Sequence, residues 1–353
     1  MLWATCSRGD DMKSLLMWCV LVVCLVTLLL TTPYLAAPAR GQQPLFAGKT
    51  VTIIVGYNPG GGYDLIARMV ARYLPKFLPG NPTVIVQNMA GANSITAANH
   101  VYTVAKPDGL TLGAFNRNLI LGQLVKAPGV RFDMSKYAWV GSIASETTVL
   151  TIRTDLPYGT PADLVKADPA VIVGATGPGA STYDFPLLLK ALAKLNLRII
   201  SGYPSSADIM LAVERKEVDG RAGSYSSTKP FIDRGLVKTI VRGRASVPDI
   251  AKLPMDEDLV TDARSKAVMK LRSAPEIIGR PYLAPPGTPE EYLRAYWDAF
   301  TKMSQDKEFL AEAEKAGFEI NFIRGDQAMQ IVRDVLGASS DIVKVFSQFF
   351  TFN

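Results

Sequence analysis

From Thr50 onward the chain alternates short β-rich runs with helical periodicities, and that alternation restricts its fold more than any other feature. Thr50–Gly56 (TVTIIVG) reads as a strand, Asp64–Leu78 as a helix and Thr83–Gln87 (TVIVQ) as a second strand. Ser94–Ala105 is helical again, and Leu110–Phe115 is a strand. The same grammar resumes in Ala170–Gly174, Thr182–Leu195, Arg198–Ile200, Ser206–Arg215, Val218–Ala222 and Val237–Val241. Such alternation predicts an α/β fold with parallel sheets covered by helices. The strands outnumber what one compact sheet of this kind holds, so two lobes are expected, with ligands beyond the strand carboxyl ends. Towards the end the chain is mostly helical. Thr288-Pro289-Glu290-Glu291 reads as a capping box with proline at the first helical position, opening a helix to Met303. Asp306–Ala316 and Asp326–Phe349 read as further helices.

Ahead of this pattern lies an apolar run, Leu15–Leu30, with Thr27 as its only polar interruption. Lys13 precedes it, and Ala37 and Ala39 suit a small-residue cleavage site before Arg40. Basic flank, apolar core and small-residue exit predict a secretory signal peptide over residues 1–39. A retained anchor helix is the competing reading, because the run approaches the length that spans a bilayer. All three cysteines (Cys6, Cys19 and Cys24) fall in this segment, so the mature chain is expected to lack disulfides and thiol ligands.

The formal charge of +6 mildly favours anionic ligands, and no Lys/Arg run marks a nucleic-acid face, so no nucleic-acid partner is expected. The single histidine, His100, excludes a multi-histidine metal centre. It lies in a helical stretch, and no G-x-S-x-G elbow accompanies it. No catalytic residues, metal or cofactor are therefore expected.

Three glycine-bearing loops join strands to helices. In the first, Tyr57-Asn58-Pro59-Gly60-Gly61-Gly62-Tyr63-Asp64, the glycines let a ligand approach the backbone amides, and Asp64 is placed to cap the helix. Tyr57 and Tyr63 can wall a guest. The loop lacks the Gly-Lys-Ser/Thr ending of a phosphate loop and does not fit G-x-G-x-x-G. The second loop, Asn88–Ser94, carries Ala92, Asn93 and Ser94; the third, Gly174–Tyr183, carries Gly179, Ser181, Thr182 and Tyr183. Hydroxyls there either cap the following helix or donate to a carboxylate. A tight turn without a guest remains the alternative for each loop taken alone. Arg117, after the strand, is a candidate cation for a carboxylate; Arg68 is expected to pair with Asp64, and Arg153 and Arg221 to lie at the surface or rim. Asp184 is expected to face away.

The ordered set PGGGYD, NMAGANS, AKPDGLTLG, GPGAST, GYPSSADIMLAVERKEVDG and RPYLAPPGTPEE, between Lys49 and Val343, resembles the Bug-type receptors of tripartite tricarboxylate transporters. The resemblance implies a type II periplasmic binding protein with two α/β lobes, two connecting strands and a ligand enclosed by hinge closure. Lobe 1 would comprise residues 40–147 and 251–353, and lobe 2 residues 148–250. It further implies capture of a small carboxylate (a di- or tricarboxylate, acidic amino acid or aromatic acid) and delivery to membrane permease subunits by a monomer. A signalling partner, or a secreted enzyme on the same scaffold, are the alternatives. Position by position, it points to Tyr57, Asn58, Gly60, Gly61, Gly62, Asp64, Ala92, Asn93 and Ser94 in one lobe, and to Gly179, Ser181, Thr182 and Tyr203 in the other. Three positions depart from the family pattern. Gly56-Tyr57-Asn58-Pro59 replaces the common Pro-Phe-Pro-Pro, Asn93-Ser94 replaces a glycine pair, and Tyr183 replaces a frequent histidine. Amide, hydroxyl and phenol groups thus re-line the expected pocket.

Overall fold

A computed structural model describes residues 17–18, 43–245 and 247–349. Apart from Met17 and Trp18, the segment read as a signal peptide, including its three cysteines, lies outside the described residues. From Phe46 onward the chain forms one compact unit containing two sheets.

The strands are β1 (Thr50–Val55), β2 (Thr83–Asn88), β3 (Thr111–Ala114), β4 (Ala138–Ala144), β5 (Thr148–Arg153), β6 (Val171–Gly174), β7 (Leu197–Ile200), β8 (Gly220–Ser224), β9 (Val237–Arg242), β10 (Pro281–Ala284) and β11 (Ile320–Arg324). One sheet has the order β11-β4-β10-β3-β1-β2 and the other β7-β6-β8-β5-β9. The helices used below are α1 (Gly62–Tyr73), α2 (Ile95–Thr103), α3 (Leu119–Leu124), α4 (Pro161–Val165), α5 (Ser181–Leu192), α6 (Ser206–Glu214), α7 (Tyr225–Asp233) and α8 (Ala263–Ser273).

The expectation of parallel sheets needs correction. β1 pairs in parallel with β2 and β3, and β6 with β7 and β8, but β10 is antiparallel to β3 and β4, and β5 is antiparallel to β8 and β9. The reason lies in the connections. Only Ser145–Thr147 separate β4 from β5, far too few residues for the helical crossover that a parallel neighbour requires. The chain therefore runs straight from one sheet into the other. A strand that emerges from the gap between the sheets must run away from it, against strands whose carboxyl ends point into it. β10 is the counterpart on the return journey after β9. Apart from β11, which is antiparallel to β4 at the sheet edge, the remaining strands aim their carboxyl ends at a common cleft, where open α/β sheets place ligands.

Several element ends also differ from expectation. The helix after the first loop stops at Tyr73 and continues only as a single 3-10 turn to Phe77, because Pro75 cannot extend the hydrogen-bond ladder. Asp326–Phe349 is two helices, Gly325–Leu336 and Ser340–Ser347. No capping box forms at Thr288: its hydroxyl donates to the Pro285 carbonyl at 2.8 Å, and the helix opens at Glu290 with Pro289 as its N-cap. Helix α4 does carry such a box, with Thr160 and Asp163 as partners. Apolar side chains of both sheets and of the segments packed on them, among them Ile54, Phe115, Trp139, Leu150, Val173 and Phe185, are buried in the core.

Candidate functional site

The first loop folds around its own aspartate. Asp64 is not the N-cap; it lies within the first turn of α1, whose N-cap is Gly61. Its carboxylate accepts from the Gly60 N–H at 2.9 Å, from Arg68 Nε at 2.9 Å and from Asn88 Nδ2 at 2.8 Å. Burial opposes ionisation, but the bonds from Arg68, Gly60 and Asn88 outweigh it and hold the carboxyl below its ordinary pKa. Gly60 takes φ +89°, a conformation that favours glycine. With Asp64 satisfied inside the loop, Gly61, Gly62 and Tyr63 face outward at the start of α1.

They border a cavity of about 60 Å³, room for several waters or a compact solute. Four helix N-termini meet there. α1 contributes Gly61–Tyr63, α5 Ala180–Thr182, α6 Ser205 and Ser206, and α7 Ser224 and Ser227. The first N–H groups of each helix have no intrahelical acceptor, and each N-terminus carries partial positive charge. Anions are what such a setting accommodates.

Arginines reinforce it. Arg117, 3 % exposed, donates through Nη2 to Thr148 Oγ1 at 2.9 Å and to Ser181 Oγ at 3.4 Å. Its backbone N–H donates to the Tyr63 hydroxyl at 2.9 Å. Arg280, from the return crossing, pairs with Glu146 at 2.5 Å, donates to Ser224 Oγ at 3.0 Å and lies 4.4 Å from the Tyr63 ring centroid. These contacts occupy lone pairs on Ser181 and Ser224, leaving their O–H groups to donate to a guest. Tyr63 in turn stacks on Tyr57, with ring centroids 5.3 Å apart. The rest of the wall is Asn116, Thr176 and Gly223.

Of the expected residues, Tyr57, Gly61, Gly62, Arg117, Ser181 and Thr182 line this cavity. Asn58, Ala92, Asn93 and Tyr203 line a neighbouring space that shares Tyr57 and Thr176 with it, and Gly60 borders another that shares Gly62. Asp64, Ser94, Gly179 and Tyr183 are not on the wall. Ser94 is buried, donating to the Gly56 carbonyl at 3.2 Å and accepting from the Asn116 N–H at 3.2 Å. The Gly179 N–H is spent on Asp184 Oδ1 at 2.9 Å, which also turns Asp184 away from the cavity. Asn93 instead spans the cleft, donating to the Pro178 carbonyl at 2.6 Å and accepting from Thr176 Oγ1 at 3.2 Å. Arg221 is the clearest correction. Expected at the surface, it is 1 % exposed, covered by α6 and α7 behind Ser206, Ser224 and Ser227. Sequence reasoning also missed Ser205, Ser206, Ser224, Ser227 and Arg280. The Ser-Ser-Ala-Asp start of α6, where Ser205 caps Ala207 and Asp208, was the available signal. Among the described residues no cluster of three or more His, Cys, Asp or Glu is placed to hold a metal.

Residues 66–347 match the sequence pattern of the tripartite tricarboxylate transporter family receptors. The chain belongs to that family. A UPF0065 protein of Bordetella pertussis is 27 % identical to this receptor over 320 residues, covering 89 % of the receptor and 94 % of the relative. Among solved structures, the periplasmic binding protein BugD superposes with a TM-score of 0.68 at 20 % identity, covering 85 % of the receptor and 97 % of BugD. MatC of Rhodopseudomonas palustris, solved with bound malate, gives 0.67 at 19 % identity, covering 86 % and 99 %. A second R. palustris protein, solved with adipate, gives 0.68 at 17 % identity, covering 84 % and 97 %. At these identities the structural likeness establishes the fold: the receptor has the two-lobed architecture of periplasmic binding proteins.

Proposed function

We propose that this receptor is exported, captures a small carboxylate between its lobes, and delivers it to the membrane subunits of a tripartite transporter without chemical turnover. One observation carries the reading. Four helix N-termini and the guanidiniums of Arg117 and Arg280 border a single cavity whose lining residues include no carboxylate. Buried donors of this kind need an acceptor once water is expelled. The sheet memberships support lobes of residues 40–147 with 251–353 and of 148–250, hinged at Ser145–Thr147 and on the return after β9. Closure would follow from the ligand's greater affinity for the closed state.

The malate and adipate of the two R. palustris structures suggest the probes. Succinate, malate and adipate, each titrated against its diester, test the proposal. A diacid at about 100 times its Kd should add about 2.7 kcal/mol of stability, read as a higher Tm. Equal stabilisation by the diesters would remove the anion from the argument. Sequencing the N-terminus of the secreted protein tests export, where retention of Leu15–Leu30 would count against cleavage.

A further inference from the structure

Arg221 lies one layer behind the cavity wall. Its Nη1 donates to the Ser206 carbonyl at 3.0 Å, and its Nη2 to Ser227 Oγ at 2.5 Å and Thr228 Oγ1 at 2.6 Å. Its Nε has no hydrogen-bond partner among the described residues. Neutral hydroxyls and a carbonyl satisfy N–H groups, but they do not cancel a charge. Burial lowers the pKa of this guanidinium to about 10, with Glu146 opposing the shift and Arg280 adding to it, so it remains protonated at neutral pH.

The local charges can be counted. Arg117, Arg221 and Arg280 supply three positive charges, each on a side chain no more than 3 % exposed. Glu146 supplies one negative charge and is committed to Arg280 and to the Ser226 hydroxyl. Asp64 is committed to Arg68. Arg117 and Arg221, by contrast, bond only to hydroxyls and carbonyls and form no ion pair with a carboxylate among the described residues. A ligand with one negative charge compensates one of these two cations, and a ligand with two compensates both. Uncompensated charge in a buried site is costly.

We propose, resting on the carboxylate reading above, that Arg221 makes this receptor select a doubly charged anion over a singly charged analogue of the same size. It acts as a buried counter-charge behind the serine wall, a positioning residue that does not touch the ligand. It also holds the wall in place, since Ser227 and Thr228 accept from it while donating to the Ser224 carbonyl at 3.0 and 2.9 Å.

The test must separate charge from scaffolding. Succinate, malate and adipate, and the half-amide of each, are titrated calorimetrically into wild type, Arg221→Met and Thr228→Asp. Thr228 is fully buried and outside the cavity lining, so the new carboxylate would sit beside Arg221 and supply its missing partner internally. Wild type should bind a diacid about 100-fold tighter than its half-amide. Thr228→Asp should cut that ratio to about 10-fold or less and raise the Tm of the ligand-free protein, and Arg221→Met, where it folds, should cut the ratio likewise. Equal wild-type affinity for diacid and half-amide would overturn the inference and leave the carboxylate reading standing. So would an unchanged ratio in Thr228→Asp, or a lower Tm or failure to fold in that variant. No binding of any diacid by wild type would overturn both.

Discussion

Arg272 and Arg221 are both buried to within 2 % of complete enclosure, yet their surroundings are opposite. Arg272, at the end of α8, donates to Glu276 at 2.9 Å and to Asp256 at 2.9 Å, and its guanidinium lies 4.5 Å from the Phe185 ring centroid. There the protein provides two carboxylates for one cation. Around the cavity it provides three guanidiniums, of which only Arg280 is ion-paired with a carboxylate, Glu146. The first cluster is complete in itself and ties the segment after β9 to α5. The second reaches neutrality only with a negative guest. Buried arginine by itself thus says little about function; whether its counter-charge is built in separates scaffold from site.

The sharpest way to break this contrast is to delete each cation. Arg272→Met leaves Asp256 and Glu276 buried without their cation and should cost about 3–5 kcal/mol in urea unfolding. The affinity of the folded fraction should not change; a weaker affinity would erase the distinction. Arg117→Met should do the reverse. Diacid affinity should fall by about 3 kcal/mol in calorimetry, while ligand-free stability holds or rises because an unpaired buried charge is gone.

A pH titration sharpens the scaffold side. Burial raises Asp256 to a pKa of about 6, with Arg272 opposing and Glu276 adding to the shift. A carboxyl with a raised folded pKa binds its proton more tightly in the folded state than in the unfolded chain. Its contribution therefore favours the fold at low pH and is lost as pH rises from about 4 to about 6, an effect of about 3 kcal/mol. Asp64, held below its ordinary pKa, contributes the opposite slope at lower pH. The difference between Asp256→Asn and wild type isolates the Asp256 term: the variant's stability curve should lack this decline. The smallest expected effect is at the wall. A Cβ at Gly62 would lie 2.8 Å from Arg280 Nη2 and 3.4 Å from Ser227 Cβ. Gly62→Ala should weaken diacid binding by about 1 kcal/mol in the same calorimetry, through displacement of Arg280.

Strands with a clear β-rich run were readable to within a few residues, as with β1, β2, β6, β7 and β9. Four strands, β4, β5, β10 and β11, went unread, and for β4 and β10 the composition gives the reason. β4 is buried at nearly every position, so it shows no alternation, and it contains Gly141 at φ +138°. β10 is four residues long and begins with Pro281. Both belong to the crossings, whose direction depends on the other sheet. At the site, the glycine loop and the Ser181–Thr182 turn were visible because local chemistry marks a helix N-terminus. Ser224, Ser227, Arg221 and Arg280 carried no comparable mark.

Residue order by itself determined the α/β class, the strand-to-helix loops, the Asp64–Arg68 pairing and the family, all properties of short stretches or of their succession. Tertiary structure alone decided that Arg280 meets Ser224 fifty-six residues away and that Arg221 is sealed behind α6 and α7. The physical reason is that burial and net local charge are sums over whatever packs nearby, and a linear chain does not reveal its neighbours in space.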